Sequence, residues 1–186
     1  MDEGKTVEAD FDFTVELLSA FFSQARVRST LAKIVEAGVT GWEKWWQVEL
    51  AMYLSEHPEI ADWDLEVEFL TDRRRSTAKD FMAIDLCYRR KRHAGDHLIF
   101  LELKQDEDWK RCIGNMLRDA EKFGASQSRS LSGASVRSFF LVGVYTRVSK
   151  GEVHDYIEEA AERHEVDWDV VETRFIADTD LAFTVL

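Results

Sequence analysis

The run His97-Leu98-Ile99-Phe100-Leu101-Glu102-Leu103-Lys104 is an apolar, strand-like stretch that ends in Glu-x-Lys. Side chains on a strand alternate faces, so Glu102 and Lys104 point the same way as Leu98 and Phe100, with Leu103 opposite. Charges at the end of so apolar a face need a reason, because burying them unpaired is expensive. A second apolar run, Phe81-Met82-Ala83-Ile84-Asp85-Leu86-Cys87-Tyr88, holds Asp85 in its middle. Pairing the two runs brings a second carboxylate beside Glu102. Two carboxylates in one place repel unless a cation joins them. Their hard oxygens suit Mg²⁺, which takes one or two carboxylates, keeps waters and contacts phosphate. The chemistry this predicts is phosphodiester hydrolysis.

The surrounding pattern limits the fold. Strand candidates over 65–71, 81–88 and 97–104 are joined by links short enough for antiparallel neighbours. Ahead of them, Phe13, Leu17, Leu18, Phe21, Phe22, Val27, Leu31, Ile34 and Val35 keep helical spacing from about 11 to 37, until Gly38 and Gly41 break it. A helix over 42–55 follows, with Trp42, Trp45, Trp46, Met52 and Tyr53 as its stripe, Glu49 within that stripe and Pro58 beyond as a stop. After the meander come a helix over 108–124, capped by Asp106 or Asp108, and a Ser- and Gly-rich loop over 124–135. A strand over 139–145, a helix over 152–164 and strands over 170–176 and 181–186 end the chain. The expected fold class is α/β (α+β), one domain over 1–186 with a central mixed sheet flanked by helices. Residues 1–40 form an N-terminal helical extension, 42–146 a core in the order α-β-β-β-α-β, and 147–186 complete the sheet.

A chain of 186 residues, 45% apolar with six Trp and one Pro, is long enough to bury a core without staples. Cys87 and Cys112 give no disulfide framework and suit a reducing compartment. The acidic start and the lack of a long apolar segment predict a cytoplasmic protein without a membrane span. The net charge of −12 opposes nonspecific adhesion to nucleic acid. Its distribution is uneven: from Arg73 to Arg118 there are twelve Lys or Arg against seven Asp or Glu, a local excess of +5. Arg73, Arg74, Arg75, Arg89, Arg90, Lys91, Arg92, Lys110, Arg111 and Arg118 are therefore candidate phosphate contacts around the acidic site. The acidic remainder offers a surface for a basic protein partner or a second copy. His93 and His97 lack the partners a zinc site needs, and nothing marks a covalent nucleophile.

With Glu49 in the helix, Asp85 on the second strand and Phe100-Leu101-Glu102-Leu103-Lys104 on the third, the chain resembles the PD-(D/E)xK nuclease superfamily, the restriction-endonuclease-like fold. The resemblance covers roughly Trp42 to Tyr145, with Ile84 where the family often has Pro. It implies that Asp85 and Glu102 hold Mg²⁺, or Mn²⁺ in its place, with the Leu103 carbonyl and the helix Glu49 completing the site. Lys104 would position the attacking water. The implied activity is metal-dependent cleavage of nucleic acid, DNA before RNA and endonucleolytic before exonucleolytic. A noncatalytic protein-binding or neutralising role on the same fold is the alternative.

Overall fold

The computed structural model describes residues 3–71, 81–93, 95, 97–124, 126–130, 135–164 and 170–186. Helices α1 (Glu3–Ser23), α2 (Ala25–Glu36) and α3 (Glu43–Glu56) precede strands β1 (Ile60–Thr71), β2 (Phe81–Arg90) and β3 (His97–Gln105). Helix α4 (Trp109–Gly124) leads to β4 (Ser126–Ser130) and β5 (Ser135–Thr146), and α5 (Lys150–His164), β6 (Glu172–Phe175) and β7 (Leu181–Val185) follow. The predicted α/β class is the one found. Three local expectations change.

The single helix expected over 11–37 is two. It begins earlier, and Gln24 takes an extended conformation (φ −63°, ψ 129°) that turns the chain before α2. Phe11, Val15, Leu18 and Phe22 then bury one face of α1, and Val27 and Leu31 one face of α2. Gly38 stops α2 where expected: at φ +62° it donates to the Val35 carbonyl while Val39 donates to Ile34, a Schellman closure. In α3 the buried face is Trp46, Gln47, Leu50, Ala51 and Leu54, so Met52, expected inside, lies 46% exposed. The loop expected over 124–135 contains β4, which pairs with both β1 and β5 and joins the sheet as a short cross-brace.

The sheet runs β3-β2-β1-β4-β5-β7-β6, with β3 also pairing β5. β1, β2 and β3 form the expected antiparallel meander. α4 carries the chain over to β5, which lies parallel to β3 from His97 opposite Ser135 to Gln105 opposite Val144. A parallel neighbour requires such a crossover. Helices α1 to α3 pack on one face, against Leu86, Tyr88, Ile99, Leu101, Leu103, Phe140, Val142 and Val144. Helices α4 and α5 pack on the other, against Leu141, Tyr145 and Ala182. Gly143 explains how closely α4 approaches: a Cβ there would meet Met116 Sδ and lie 2.9 Å from Cys112 Sγ. Among the described residues no helix is long and apolar enough to cross a membrane.

Candidate functional site

The ladder between β2 and β3 is short. It pairs Leu86 with Leu101, Cys87 with Phe100 and Tyr88 with Ile99, and stops there, one step before Asp85 and Glu102 would stand opposite each other. Beyond that point β3 loses its backbone neighbour on this side, and N–H groups that a strand would have taken need other acceptors. Carboxylates supply them. Asp85 Oδ2 accepts the Leu103 N–H at 2.8 Å, and Glu43 Oε2 accepts the Gln105 N–H at 3.0 Å. Such charge-assisted bonds hold a side chain more firmly than neutral ones. Because a strand residue presents its N–H and C=O to the same edge, the Leu103 carbonyl faces this opening too.

Asp85 is fixed from α3 as well. Gln47, buried within the helix face, donates from Nε2 to the Asp85 carbonyl at 2.6 Å and lies 3.5 Å from Oδ1. Lys44 Nζ is 4.0 Å from Asp85 Oδ1, donates to Gln47 Oε1 at 2.8 Å and pairs with Glu66. Glu66 lies on β1 between Leu65 and Val67, which pair with Leu86 and Ile84, so register puts it across from Asp85. Its φ of 54° is left-handed, a conformation that side chains adopt at a cost.

On β3, Lys104 Nζ donates to Glu102 Oε1 at 2.7 Å and lies 2.9 Å from Asp119 Oδ2 of α4. The three side chains are 15 to 18% exposed. Burial, and then the nearby Asp85 charge, push the Glu102 carboxyl up to about 7 despite Lys104. Glu43 is raised too, by burial first and with Asp85 adding to it. Burial works against the Lys104 ammonium, but Glu102 and Asp119 outweigh it and hold the amine above its ordinary range. For Asp119 burial is likewise overcome, by hydrogen bonds from Lys122 and Lys104, and its carboxyl lies below the usual value. Asp85, Glu102 and Glu43 thus crowd negative charge around one opening, offset chiefly by Lys104.

In comparisons with known proteins, no family model, no curated protein and no solved structure matches this chain.

The structure brings Asp85, Glu102, Lys104 and the Leu103 backbone together at this opening. Glu49 does not join them: its Oε2 lies 2.6 Å from Arg26 Nη1 on the α2 side of the helix. The helix carboxylate at the opening is Glu43, six residues earlier. The physical reason is the true buried face of α3, which runs through Trp46, Gln47, Leu50 and Leu54 and carries Glu43 toward the sheet. Sequence reasoning also misses Lys44, Gln47, Glu66 and Asp119. Glu43 and Gln47 are four apart on that face, the signal that would have found them.

The basic residues are more engaged than a charge count implies. Arg73, Arg74 and Arg75 lie outside the described residues. Arg90 stacks on the Phe13 ring at 3.9 Å and lies 3.6 Å from Glu59, and Lys91 donates to the Pro58 carbonyl. Arg111 pairs with Asp106 and Arg118 with Asn115. Lys110 sits 5.3 Å over the Trp109 ring. Arg89 is half-buried, and Arg92 is exposed in a turn at φ 74°. Among the described cations, Arg90, Lys91, Lys110, Arg111 and Arg118 each already have a partner within the chain.

The donor set tests well against a hard divalent cation. Carboxylate and carbonyl oxygens line one side of the opening, and a cation there would favour the ionised forms that burial and Asp85 disfavour at Glu102 and Glu43. Among the described residues no group of three or more Asp, Glu, His or Cys side chains is placed to hold a metal ion together. Mg²⁺ needs none, since it keeps several waters and takes only one or two carboxylates.

Proposed function

We propose that the chain is a Mg²⁺-dependent nuclease that hydrolyses phosphodiester bonds, with DNA as the favoured substrate and internal cleavage as the favoured mode. The observation that supports it most is the meeting of Asp85, Glu102 and Lys104 where β2 and β3 part, with Glu43 arriving from α3. Asp85 and Glu102, with the Leu103 carbonyl, are the groups that would hold the ion. Bound there, a divalent cation would supply Lewis-acid polarisation of the phosphoryl group and a more acidic water.

The chain's own residues do the positioning. Gln47 and the Leu103 N–H fix the Asp85 carboxylate, so it meets an ion with little reorganisation. Lys104, held charged by its carboxylate neighbours, donates toward the attacking water or the phosphoryl oxygen and offsets the negative charge that develops there. Lys44, exposed at the mouth, offers a further cation to a neighbouring phosphate. Both cysteines are free and buried, which supports a reducing, cytoplasmic setting.

Incubating the protein with supercoiled, linear double-stranded and single-stranded DNA and with RNA, in Mg²⁺, Mn²⁺ or EDTA, tests the proposal. Cleavage of DNA that EDTA abolishes is the expected result. Preference for RNA would reassign the substrate, and no cleavage of any of them would leave the acidic surface and a protein-binding role.

A further inference from the structure

Resting on the nuclease reading, we propose that Asp119 is the positioning residue for Lys104, keeping its ammonium at the reacting phosphate when Glu102 turns to a divalent cation. Lys104 ends a flexible four-carbon stem, so its head must be held if it is to act at one atom. Glu102 holds it at 2.7 Å, yet Glu102 is also a metal-holding carboxylate, and a cation would draw its oxygens away. Asp119 Oδ2, 2.9 Å from Nζ, remains.

Asp119 is built for that task. It comes from a different element, α4, whose Met116 and Leu117 are fully buried beside it and fix the helix. Lys122, one turn on, donates to Asp119 Oδ1, which sets the plane of the carboxylate and leaves Oδ2 for Lys104. An ammonium has three donors. With one on Asp119 and Glu102 withdrawn, two remain, one for the attacking water and one for a phosphoryl oxygen. Asp119 makes and breaks no bond in this scheme; it acts through Lys104 alone.

The test places Asp119→Asn and Asp119→Glu in the wild-type and Lys104→Ala backgrounds. Cleavage is followed under single-turnover conditions, Mn²⁺ binding by calorimetry and folding by thermal unfolding. D119N is expected to lower the saturating rate about 10- to 100-fold, the cost of a misplaced catalytic group. The half-saturating DNA concentration and the Mn²⁺ affinity should stay unchanged. D119E, which keeps the charge, should recover part of the rate and stands in should D119N not fold. In the K104A background D119N should cost nothing further. An equal loss in both backgrounds, weakened Mn²⁺ binding, or an unchanged rate would each overturn the assignment. If the wild type cleaves and D119N matches it, this inference alone fails; if the wild type cleaves nothing, it falls together with the nuclease reading.

Discussion

The Glu102→Gln variant gives a test that needs no substrate. In the folded, metal-free protein the Glu102 carboxyl is raised from 4.5 to about 7, by burial first and by Asp85 second. Between those two values the native state keeps a proton that the unfolded chain has released. Stability therefore falls as pH rises through that window, and the loss is complete above the folded value. At about 1.4 kcal/mol per pH unit the whole interval is worth up to about 3 kcal/mol. His57 and His93, pushed down by burial, act with the opposite sign, but they are present in both proteins and cancel in the difference. The amide introduced by E102Q has no such proton to lose. The assay is urea unfolding of wild type and E102Q in EDTA, from pH 4 to pH 8.5. Relative to its standing at the acid end, E102Q should gain on wild type by about 2 to 3 kcal/mol by the alkaline end. Adding Mg²⁺ at high pH should stabilise the wild type and leave the variant nearly unmoved. Curves that stay parallel across the range, or a wild type that gains on E102Q as pH rises, would refute the charge crowding at this opening.

Three further expectations follow from the same geometry. Asp85→Ala removes the acceptor of the Leu103 N–H and should destabilise the fold by about 1–3 kcal/mol in unfolding experiments, beyond any loss of activity. Gly143→Ala sets a methyl group against Met116 and Cys112 under α4 and should cost about 1–3 kcal/mol by overpacking, read as a lowered Tm. Glu43→Gln should weaken Mg²⁺-dependent cleavage by about tenfold or more, whereas Glu49→Gln should leave it intact, because Glu49 faces Arg26; equal effects of the two would contradict the assignment.

How much was legible follows from which forces act locally. Strand alternation put Glu102 and Lys104 on one face, and two apolar runs with short links gave the meander that brings Asp85 near them. Gly38 ended its helix as glycine in a left-handed position does. Helix α3 was harder, because its large aromatics dominate the pattern. Trp46 is fully buried, but Met52 faces out, and a buried amide, Gln47, occupies the core side. A stripe drawn through the largest side chains therefore includes Glu49, whereas the carboxylate that reaches the opening is Glu43. The contact of Asp119 with Lys104 joins α4 to β3 across a tertiary interface, which no local period encodes. A charge count along the chain does not show that Arg90 and Arg111, both candidate phosphate contacts, are engaged by Phe13 and Asp106.

On the proposed reading Asp85 and Lys104 belong to one metal-dependent hydrolytic site. The most direct measurement is DNA cleavage in Mg²⁺ by wild type, Asp85→Asn and Lys104→Ala side by side, each shown by its unfolding curve to be folded. The wild type is expected to cleave, with activity abolished by EDTA and reduced by about 100-fold or more in both variants. Cleavage that persists in folded D85N and K104A, or none by the wild type, would contradict it.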